Sequence, residues 1–203
     1  HYITDHHWTC EAAFKANEAI AKYVYEEFGL AFDKDEFRFY CSEDHYNKVC
    51  YPASFLGSIG IRAGEGYTKK EDFSVIVPDF YTHFYYTHLV DSEITNSYSG
   101  DFMESFIDES LLLDTHYKNK YMAFLHGGYV ENIIENQACG NELKALLVAH
   151  SYGRALTPYM SLLYKEVRYL DPQTGRYNES YLEYIRNYMP DVIIVMFNGE
   201  IQL

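Results

Sequence analysis

Residues 143–153 read LKALLVAHSYG, an apolar run that ends in a short polar turn. A run in which nearly every position is apolar suits a strand covered on both faces, as strands in parallel sheets are. Helical periodicity follows directly over residues 154–164. The stretch therefore predicts a buried strand, a tight turn at Ser151 and a helix.

The remainder of the C-terminal third continues this alternation. A strand is predicted at residues 166–170, a helix at 181–189 and a second buried strand at 191–197. Strands that alternate with helices favour a parallel sheet with helices packed on both faces. We therefore predict an α/β fold of three layers, whose central sheet is mainly parallel and is flanked by helices.

The first two thirds of the chain carry weaker patterns. Thr9 is a suitable N-cap for a helix with apolar residues at helical spacing, and Gly29 is a suitable end for it. The other segments are predicted as strands at 36–40, 72–90 (two strands) and 121–125, a loop region at 51–66, a polar turn at 91–100, and a short helix or irregular segment at 101–113.

Composition limits the classes of partner. The chain has 203 residues, which fits one domain, and 30 acidic against 16 basic residues leave a net charge of −14. That charge repels the phosphates of nucleic acids and anionic membrane surfaces. No apolar run approaches the roughly 18 residues that a membrane span needs. Because the sequence starts at His1 without Met, we expect a fragment or a processed form of a longer chain.

The four cysteines leave two possibilities open. Cys41 and Cys50 flank a short polar loop and would pair as a disulfide if the protein is exported. Alternatively, all four cysteines are free thiols. Their spacings do not match a zinc knuckle.

Ser151 stands where chemistry is expected in such a fold. Functional groups of parallel sheets collect beyond the carboxyl ends of strands, and Ser151 follows a predicted strand directly. Gly153 permits a tight turn, and the next helix would point free N–H groups toward the serine hydroxyl. Such amides stabilise an oxyanion, although a serine here could also serve only as a helix cap.

A second group of polar residues occupies the sequence TDHHWT at residues 4–9. A nucleophilic serine needs a general base, and the base needs an acid to orient it. In an extended stretch, Asp5 and His7 point to the same side, so the carboxylate can reach the imidazole. Two alternatives remain: His7 is a structural histidine, or Asp5, His6 and His7 bind the ion of a metal-dependent hydrolase.

The motif Asp5-His6-His7-Trp8, with Ser151-Tyr152-Gly153 much later, resembles the bacterial DHHW protein family. It is also similar to the catalytic domains of alginate O-acetyltransferases, and residues 54–58 and 127–128 are weaker points of likeness. The resemblance implies an SGNH-hydrolase-like (GDSL-like) fold in circularly permuted order, with the Asp-His motif ahead of the serine. It also implies that residues 1–203 form a single SGNH-like catalytic domain.

The resemblance assigns roles to these residues. Ser151 would be the nucleophile, His7 the general base and Asp5 its orienting acid, with no metal or cofactor. The residues expected to bind the oxyanion or the substrate are Gly127, Gly128, Trp8 and Tyr152. Ser54 and Ser58 are weaker candidates for substrate contacts.

The implied function is that of a serine esterase or acyltransferase. Its substrates would be O-acetyl groups of a cell-wall or exported polysaccharide, or another O-acylated small molecule. The resemblance further implies a bacterial protein outside the cytoplasm, with a membrane-bound acyl-donor partner. The chain is rich in tyrosine, and the tyrosines that could stack on sugar rings are Tyr81, Tyr85, Tyr86 and Tyr98.

One residue departs from the family pattern. The family serine usually follows an aspartate, whereas His150 precedes Ser151 here. This departure favours an alternative function, in which the chain is a non-catalytic carbohydrate-binding or cell-surface domain that retains the fold.

Overall fold

The computed structural model describes residues 1–29, 33–116, 119–128, 130–177 and 179–197. The helices in this part of the chain are α1 (Cys10–Phe28), α2 (Lys34–Tyr40), α3 (Ser58–Ala63), α4 (Phe102–Phe106), α5 (Glu109–Leu113), α6 (Gly153–Met160) and α7 (Tyr181–Tyr188). The strands are β1 (Tyr46–Phe55), β2 (Glu71–Pro78), β3 (Phe84–Val90), β4 (Glu93–Gly100), β5 (Glu131–Asn136), β6 (Lys144–Ala149), β7 (Glu166–Leu170) and β8 (Val192–Met196).

The main sheet has six strands in the order β4-β3-β5-β7-β6-β8. Strand β6 pairs in parallel with β7 and with β8, whereas the three pairs on the other side of β7 are antiparallel. The predicted α/β class is confirmed, but the prediction of a mainly parallel sheet is wrong. Of residues 91–100, predicted as a turn, only 91 and 92 form one, and residues 93–100 are instead the hairpin partner of β3.

The hairpin between β3 and β4 is closed by two residues with positive φ, Asp91 at 54° and Ser92 at 65°. Two consecutive residues of this kind suit the right-handed twist of paired strands and produce a tight two-residue turn. Strands β1 and β2 form a separate antiparallel pair. The parallel pattern of the C-terminal third therefore does not extend to the rest of the chain.

Helices cover both faces of the parallel region. Ala145 and Leu147 of β6 face a large core that also contains Tyr159 of α6 and Phe14 of α1. The intervening Leu146 of β6 packs on the other face, against Tyr188 of α7. This alternation gives the helix–sheet–helix layering that the sequence predicted.

The large core also joins the two sheets. Phe55 and Phe73 of the β1–β2 pair belong to the same cluster of buried residues as Phe84 of β3. The helix predicted between Thr9 and Gly29 is confirmed: Thr9 Oγ1 accepts a hydrogen bond from the N–H of Ala12, and Gly29 ends the helix with φ 60°.

Several local predictions are wrong for identifiable reasons. Residues 36–40, predicted as a strand, belong to helix α2. Asp33 caps the start of this helix, because its carboxylate accepts hydrogen bonds from two backbone N–H groups. Residues 51–66 are not a loop but contain the end of β1 and all of α3. Residues 121–125 form parts of two 3₁₀ turns instead of a strand. Strand β8 lies at the sheet edge, with alternate side chains exposed.

All four cysteines are free thiols, so Cys41 and Cys50 do not form a disulfide in this structure. Cys10 and Cys41 are buried. In the described parts of the chain, every helix is too short or too polar to pass through a bilayer.

Candidate active site

Ser151 lies in the turn between β6 and α6, at the carboxyl end of a parallel strand. Gly153 makes this turn possible: a Cβ there would lie 2.7 Å from Tyr169 Cε2 of β7 and 3.1 Å from the Ala149 Cβ. The N–H of Gly153 donates to the His150 carbonyl at 2.8 Å, which closes the turn. Ser151 is consequently held at the rim of the sheet and is partly exposed.

The N-terminal segment that carries Asp5 and His7 is fixed by contacts far away in the sequence. Glu71, the first residue of β2, accepts from the N–H groups of Ile3 and Thr4 at 2.7 Å each and from Thr4 Oγ1 at 2.5 Å. The Thr4 carbonyl accepts from the N–H groups of Ile59 and Gly60 in α3. The segment therefore has a defined path without belonging to a helix or a strand.

The structure brings together the three side chains that the sequence singled out. The Nδ1 atom of His7 is hydrogen-bonded to Asp5 Oδ1, and its Nε2 atom lies 2.7 Å from Ser151 Oγ. Because an ionised carboxylate can only accept, His7 donates from Nδ1 and its Nε2 accepts the serine proton. One histidine thus links a buried acid to a hydroxyl 144 residues away in the chain.

Asp5 is 2% exposed, and both its oxygens accept backbone hydrogen bonds. Oδ2 accepts from the Ser58 N–H at 2.7 Å and Oδ1 from the His7 N–H at 3.0 Å. Burial alone would raise the pKa of Asp5, but the hydrogen bonds from the His7 ring and these amides outweigh it and hold the pKa below its usual range. Asp5 is therefore a carboxylate at neutral pH.

Gly57 provides the space that Asp5 occupies. A Cβ at position 57 would lie 2.2 Å from the Asp5 Cβ and 2.5 Å from its Oδ2. Such distances are far inside van der Waals contact. Any larger residue at position 57 would therefore displace the acid.

His7 is 7% exposed, and its ring stacks on that of Tyr121 with centroids 3.9 Å apart. Burial lowers the pKa of His7 below the ordinary histidine value; the hydrogen bond to Asp5 opposes this effect, and His6 and Arg154 add to it. The balance favours the neutral imidazole, which is the form that can accept a proton.

The predicted substrate-binding aromatics lie beside this group. The ring of Tyr152 is 5.4 Å from that of His7, and its hydroxyl donates to the His6 carbonyl. The Trp8 ring lies 5.5 Å from the Tyr152 ring in an edge-on arrangement. Tyr152 therefore bridges the serine turn and the N-terminal segment, and Trp8 supports it.

The backbone N–H groups of Gly127 and Gly128, which are expected to bind the oxyanion, already have hydrogen-bond acceptors in the structure. Their N–H groups donate to the carbonyls of Phe124 and Leu125, at 3.2 Å and 2.9 Å. Both have positive φ, 95° and 69°. The close approach that Gly128 permits is to Arg154, whose Nε would lie 2.5 Å from a Cβ at position 128.

His150 lies outside the linked group of Asp5, His7 and Ser151. Its side chain is buried, with its ring 5.1 Å from that of Tyr152, and its carbonyl accepts from the Tyr169 hydroxyl at 3.1 Å. A histidine at this position therefore leaves the hydrogen bonds of His7 intact.

Of the remaining serine and tyrosine candidates, some make local or buried contacts and others lie on the surface. Ser54 Oγ donates to the Tyr51 carbonyl at 2.7 Å, which is a plain turn contact, and Ser58 contributes its N–H to Asp5. Tyr86 is fully buried, and Tyr98 stacks on His126 at 3.7 Å. Tyr81 and Tyr85 remain on the surface, 78% and 50% exposed.

Asp5, His6 and His7 also satisfy a simple distance criterion for metal binding. One ligand atom from each lies within 4.8 Å of the others. However, Asp5 Oδ1 and His7 Nδ1 are hydrogen-bonded to each other. A metal ion would therefore have to replace the contact that orients His7.

Sequence reasoning missed Tyr121, Arg154 and the specific role of Gly57. Gly57 lies in the segment 54–58, a weaker point of likeness to the DHHW family, so the sequence holds part of its signal. The other two meet the site only through tertiary packing, and no local pattern marks them.

Comparison with known proteins shows likeness in structure alone. No family model matches the chain, and no curated protein matches it. Bacillus cereus PatB1 superposes with a TM-score of 0.72 at 18% identity, over 98% of this chain and 62% of that one. PatB1 with a sulfonyl adduct gives 0.72 at 17%, over 98% and 60%.

A DHHW family protein from Eubacterium siraeum superposes with a TM-score of 0.64 at 19% identity, over 96% of this chain and 57% of that one. The chain thus spans about 60% of the length of these solved structures. At such identities the likeness shows a shared fold. The expected resemblance to the DHHW family is confirmed at that level.

Proposed function

From the fold that the chain shares with PatB1 and a DHHW family protein, we propose that it is a serine-dependent esterase or acyltransferase. Ser151 is the nucleophile, His7 the general base and Asp5 the acid that orients His7. The observation that carries this proposal is the position of His7, hydrogen-bonded to a buried carboxylate through Nδ1 and to Ser151 through Nε2. This is the arrangement that activates a serine hydroxyl.

In the first step, Ser151 Oγ attacks the carbonyl carbon of an ester while His7 Nε2 takes the hydroxyl proton. The carbonyl π electrons move to its oxygen, and the imidazolium is stabilised by the Asp5 carboxylate. When the tetrahedral intermediate collapses, the bond to the alcohol breaks and His7 returns the proton to the leaving oxygen. The product is an acyl group on Ser151.

In the second step, His7 removes a proton from water or from a sugar hydroxyl, whose oxygen attacks the acyl carbon. The bond to Ser151 Oγ then breaks, and the serine regains the proton from His7. Water gives hydrolysis and a sugar hydroxyl gives transfer. The partly exposed position of Ser151 at the rim of the sheet supports access by a polymeric acceptor.

We propose as substrates the O-acetyl groups of a cell-wall or exported polysaccharide, and with them a location outside the bacterial cytoplasm. The resemblance to alginate O-acetyltransferases supports this choice, as does the neighbourhood of Trp8 and Tyr152, since aromatic faces suit sugar rings. If the reaction is acyl transfer, a membrane-bound partner supplies the acyl group.

Hydrolysis of 4-nitrophenyl acetate tests the reaction. We expect turnover by the chain, loss of turnover in Ser151→Ala, and full retention in the control Ser54→Ala, which removes only a turn hydroxyl. Circular dichroism would verify folding of each variant. Equal rates in all three would contradict the proposal, and glycan binding without turnover would favour the carbohydrate-binding alternative.

A sulfonyl fluoride gives a second, independent test. One solved structure of PatB1 carries a sulfonyl adduct. In a reaction with phenylmethylsulfonyl fluoride, Ser151 Oγ would bond to sulfur, fluoride would leave and His7 would take the proton. Peptide mass spectrometry should find the adduct on Ser151 in the chain and none in His7→Ala. Labelling that is equal on other serines would argue against an activated Ser151.

A further inference from the structure

Arg154 lies one turn after Ser151 and has an unusual environment. Its backbone N–H donates to the Ser151 carbonyl at 3.2 Å, so the two residues adjoin where the serine turn enters α6. The guanidinium Nη1 donates to Met122 Sδ at 3.0 Å, a weak acceptor. Its Nε atom is buried and makes no hydrogen bond of normal geometry with the described residues.

In the described ranges Arg154 has no direct ion pair, although the Asp171 carboxylate is near enough to interact with it electrostatically and the Tyr169 phenol approaches its guanidinium. Within the described ranges, no carboxylate oxygen lies within 4.0 Å of its guanidinium, although the chain has 30 acidic residues. A partly buried guanidinium without a direct ion pair is costly to fold. Such an arrangement is expected where a charge is kept for a ligand.

Gly128 and Met122 hold the guanidinium in place. A Cβ on Gly128 would lie 2.5 Å from Arg154 Nε and 3.1 Å from its Cδ, so only glycine lets the side chain lie there. Met122 precedes the turn of residues 125–128, and its neighbour Tyr121 stacks on His7. The same segment therefore contacts both the base and Arg154.

The glycine amides cannot take the role expected of them without breaking their own turn. The N–H groups of Gly127 and Gly128 donate to the carbonyls of Phe124 and Leu125. Negative charge develops on the carbonyl oxygen during the reaction, so a further donor beside the backbone at Ser151 would stabilise it.

We propose that Arg154 is that donor: its guanidinium binds the acyl carbonyl oxygen and stabilises the oxyanion that forms when Ser151 attacks. This inference rests on the proposed function and adds a catalytic residue to it. As the Ser151 Oγ–carbon bond forms and the proton passes to His7, the π electrons move to the oxygen that Arg154 holds. Gly127 and Gly128 then serve to shape the space for Arg154.

A guanidinium in this position also acts on the base. The groups around His7 are the carboxylate of Asp5, the imidazole of His6, the phenols of Tyr121 and Tyr152, and Arg154. A positive charge near His7 disfavours its protonation. Removal of Arg154 should therefore raise the pKa of His7 and shift the acid limb of the rate profile to higher pH.

The test compares Arg154→Gln, Arg154→Lys and Arg154→Met with the control Arg186→Gln, an exposed guanidinium on α7. We expect Arg154→Gln and Arg154→Met to lower kcat/KM for 4-nitrophenyl acetate by about a hundredfold or more, as loss of one oxyanion donor does. In both variants the acid limb of the rate profile should shift to higher pH. Arg154→Lys keeps the positive charge, so the acid limb of its pH profile should stay at the same pH while its kcat/KM falls in part.

The outcomes separate the two proposals. If the unaltered chain is labelled at Ser151 by the sulfonyl fluoride but Arg154→Gln retains its kcat/KM within threefold and its pH limb, the role of Arg154 is wrong and the serine mechanism stands. If the unaltered chain is not labelled and hydrolyses no ester, the serine mechanism fails and the role of Arg154 falls with it. Should Arg154→Gln fail to fold, Arg154→Lys decides through its rate and pH limb.

Discussion

At the scale of single residues, His7 determines how the proposed site responds to pH. Burial lowers its pKa, and His6 and Arg154 lower it further against the opposing effect of Asp5. The base works only when neutral, so activity falls as pH drops through this pKa. Because the pKa lies below the ordinary value of 6.5, activity should persist into mildly acidic solution.

A profile of kcat/KM against pH for ester hydrolysis measures this directly. We expect the midpoint of the acid limb below 6.5, the ordinary histidine value. A midpoint above that value would mean that the Asp5 interaction outweighs burial, contrary to the structure. Asp5 remains ionised throughout this range because its own pKa is held low.

Gly57 gives a second prediction at this scale. Gly57→Ala places a Cβ 2.2 Å from the Asp5 Cβ, so either the acid or the backbone must move. We expect a loss of about 1–3 kcal/mol in the free energy of unfolding, typical of an overpacked buried position, together with a large loss of activity. Urea denaturation and kcat measure the two effects.

Gly66→Ala is the matched control, because a Cβ there meets no atom within 4 Å. It should leave both quantities nearly unchanged. Equal behaviour of the two variants would show that Asp5 is not confined by residue 57.

At the scale of secondary-structure elements, the catalytic geometry depends on elements that carry no catalytic side chain. Strand β2 supplies Glu71, whose carboxylate accepts three hydrogen bonds from Ile3 and Thr4. Helix α3 supplies the Ser58 N–H that Asp5 accepts. The turn from β6 to α6 supplies Ser151, and it forms because Gly153 can lie against Tyr169.

Glu71→Ala tests this dependence. Loss of its carboxylate leaves the N–H groups of Ile3 and Thr4 without their acceptor, so the segment that carries Asp5 and His7 should loosen. We expect the free energy of unfolding to fall by about 1.5–3 kcal/mol, as for hydrogen bonds to a charged group, and kcat to fall as well. Fluorescence of Trp8, the only tryptophan, should report the change in this segment.

The control is Glu93→Ala, at the exposed start of β4. It removes one negative charge without touching the N-terminal segment. If both variants lose activity to the same extent, the effect is one of net charge, and the anchoring role of Glu71 would be refuted.

At the scale of the whole molecule, one core joins the β1–β2 pair to the six-stranded sheet through Phe55, Phe73 and Phe84. The single domain that the sequence suggests stays a prediction, and this shared core gives it a test. Elements that share one core unfold together. We expect urea transitions followed by far-ultraviolet circular dichroism and by Trp8 fluorescence to coincide.

Two separate midpoints would indicate that the N-terminal segment and β1–β2 unfold independently of the main sheet. Phe73→Ala sharpens the test. Because this residue is fully buried in the shared core, its truncation should lower both midpoints equally, at a cost of about 3–5 kcal/mol.

The sequence by itself determined the features that depend on neighbours in the chain. Helix α1 with its Thr9 cap, the strand–turn–helix around Ser151 and the proximity of Asp5 to His7 follow from local spacing and capping. The α/β class followed from the same alternation. Hydrophobic periodicity and end signals act within a few residues, which is why these predictions were confirmed.

Tertiary structure alone decided the direction of the strands and the surroundings of the site. Residues 93–100 became a strand because β3 offered a free edge for pairing. By contrast, the helix at residues 36–40 depends on a local signal, the cap at Asp33, which the strand prediction did not take into account. Local sequence patterns do not show which distant segment of the chain will pair with a given strand. For the same reason, the stacking of Tyr121 on His7, the space that Gly57 leaves for Asp5 and the approach of Arg154 to Gly128 arise only when distant segments pack together.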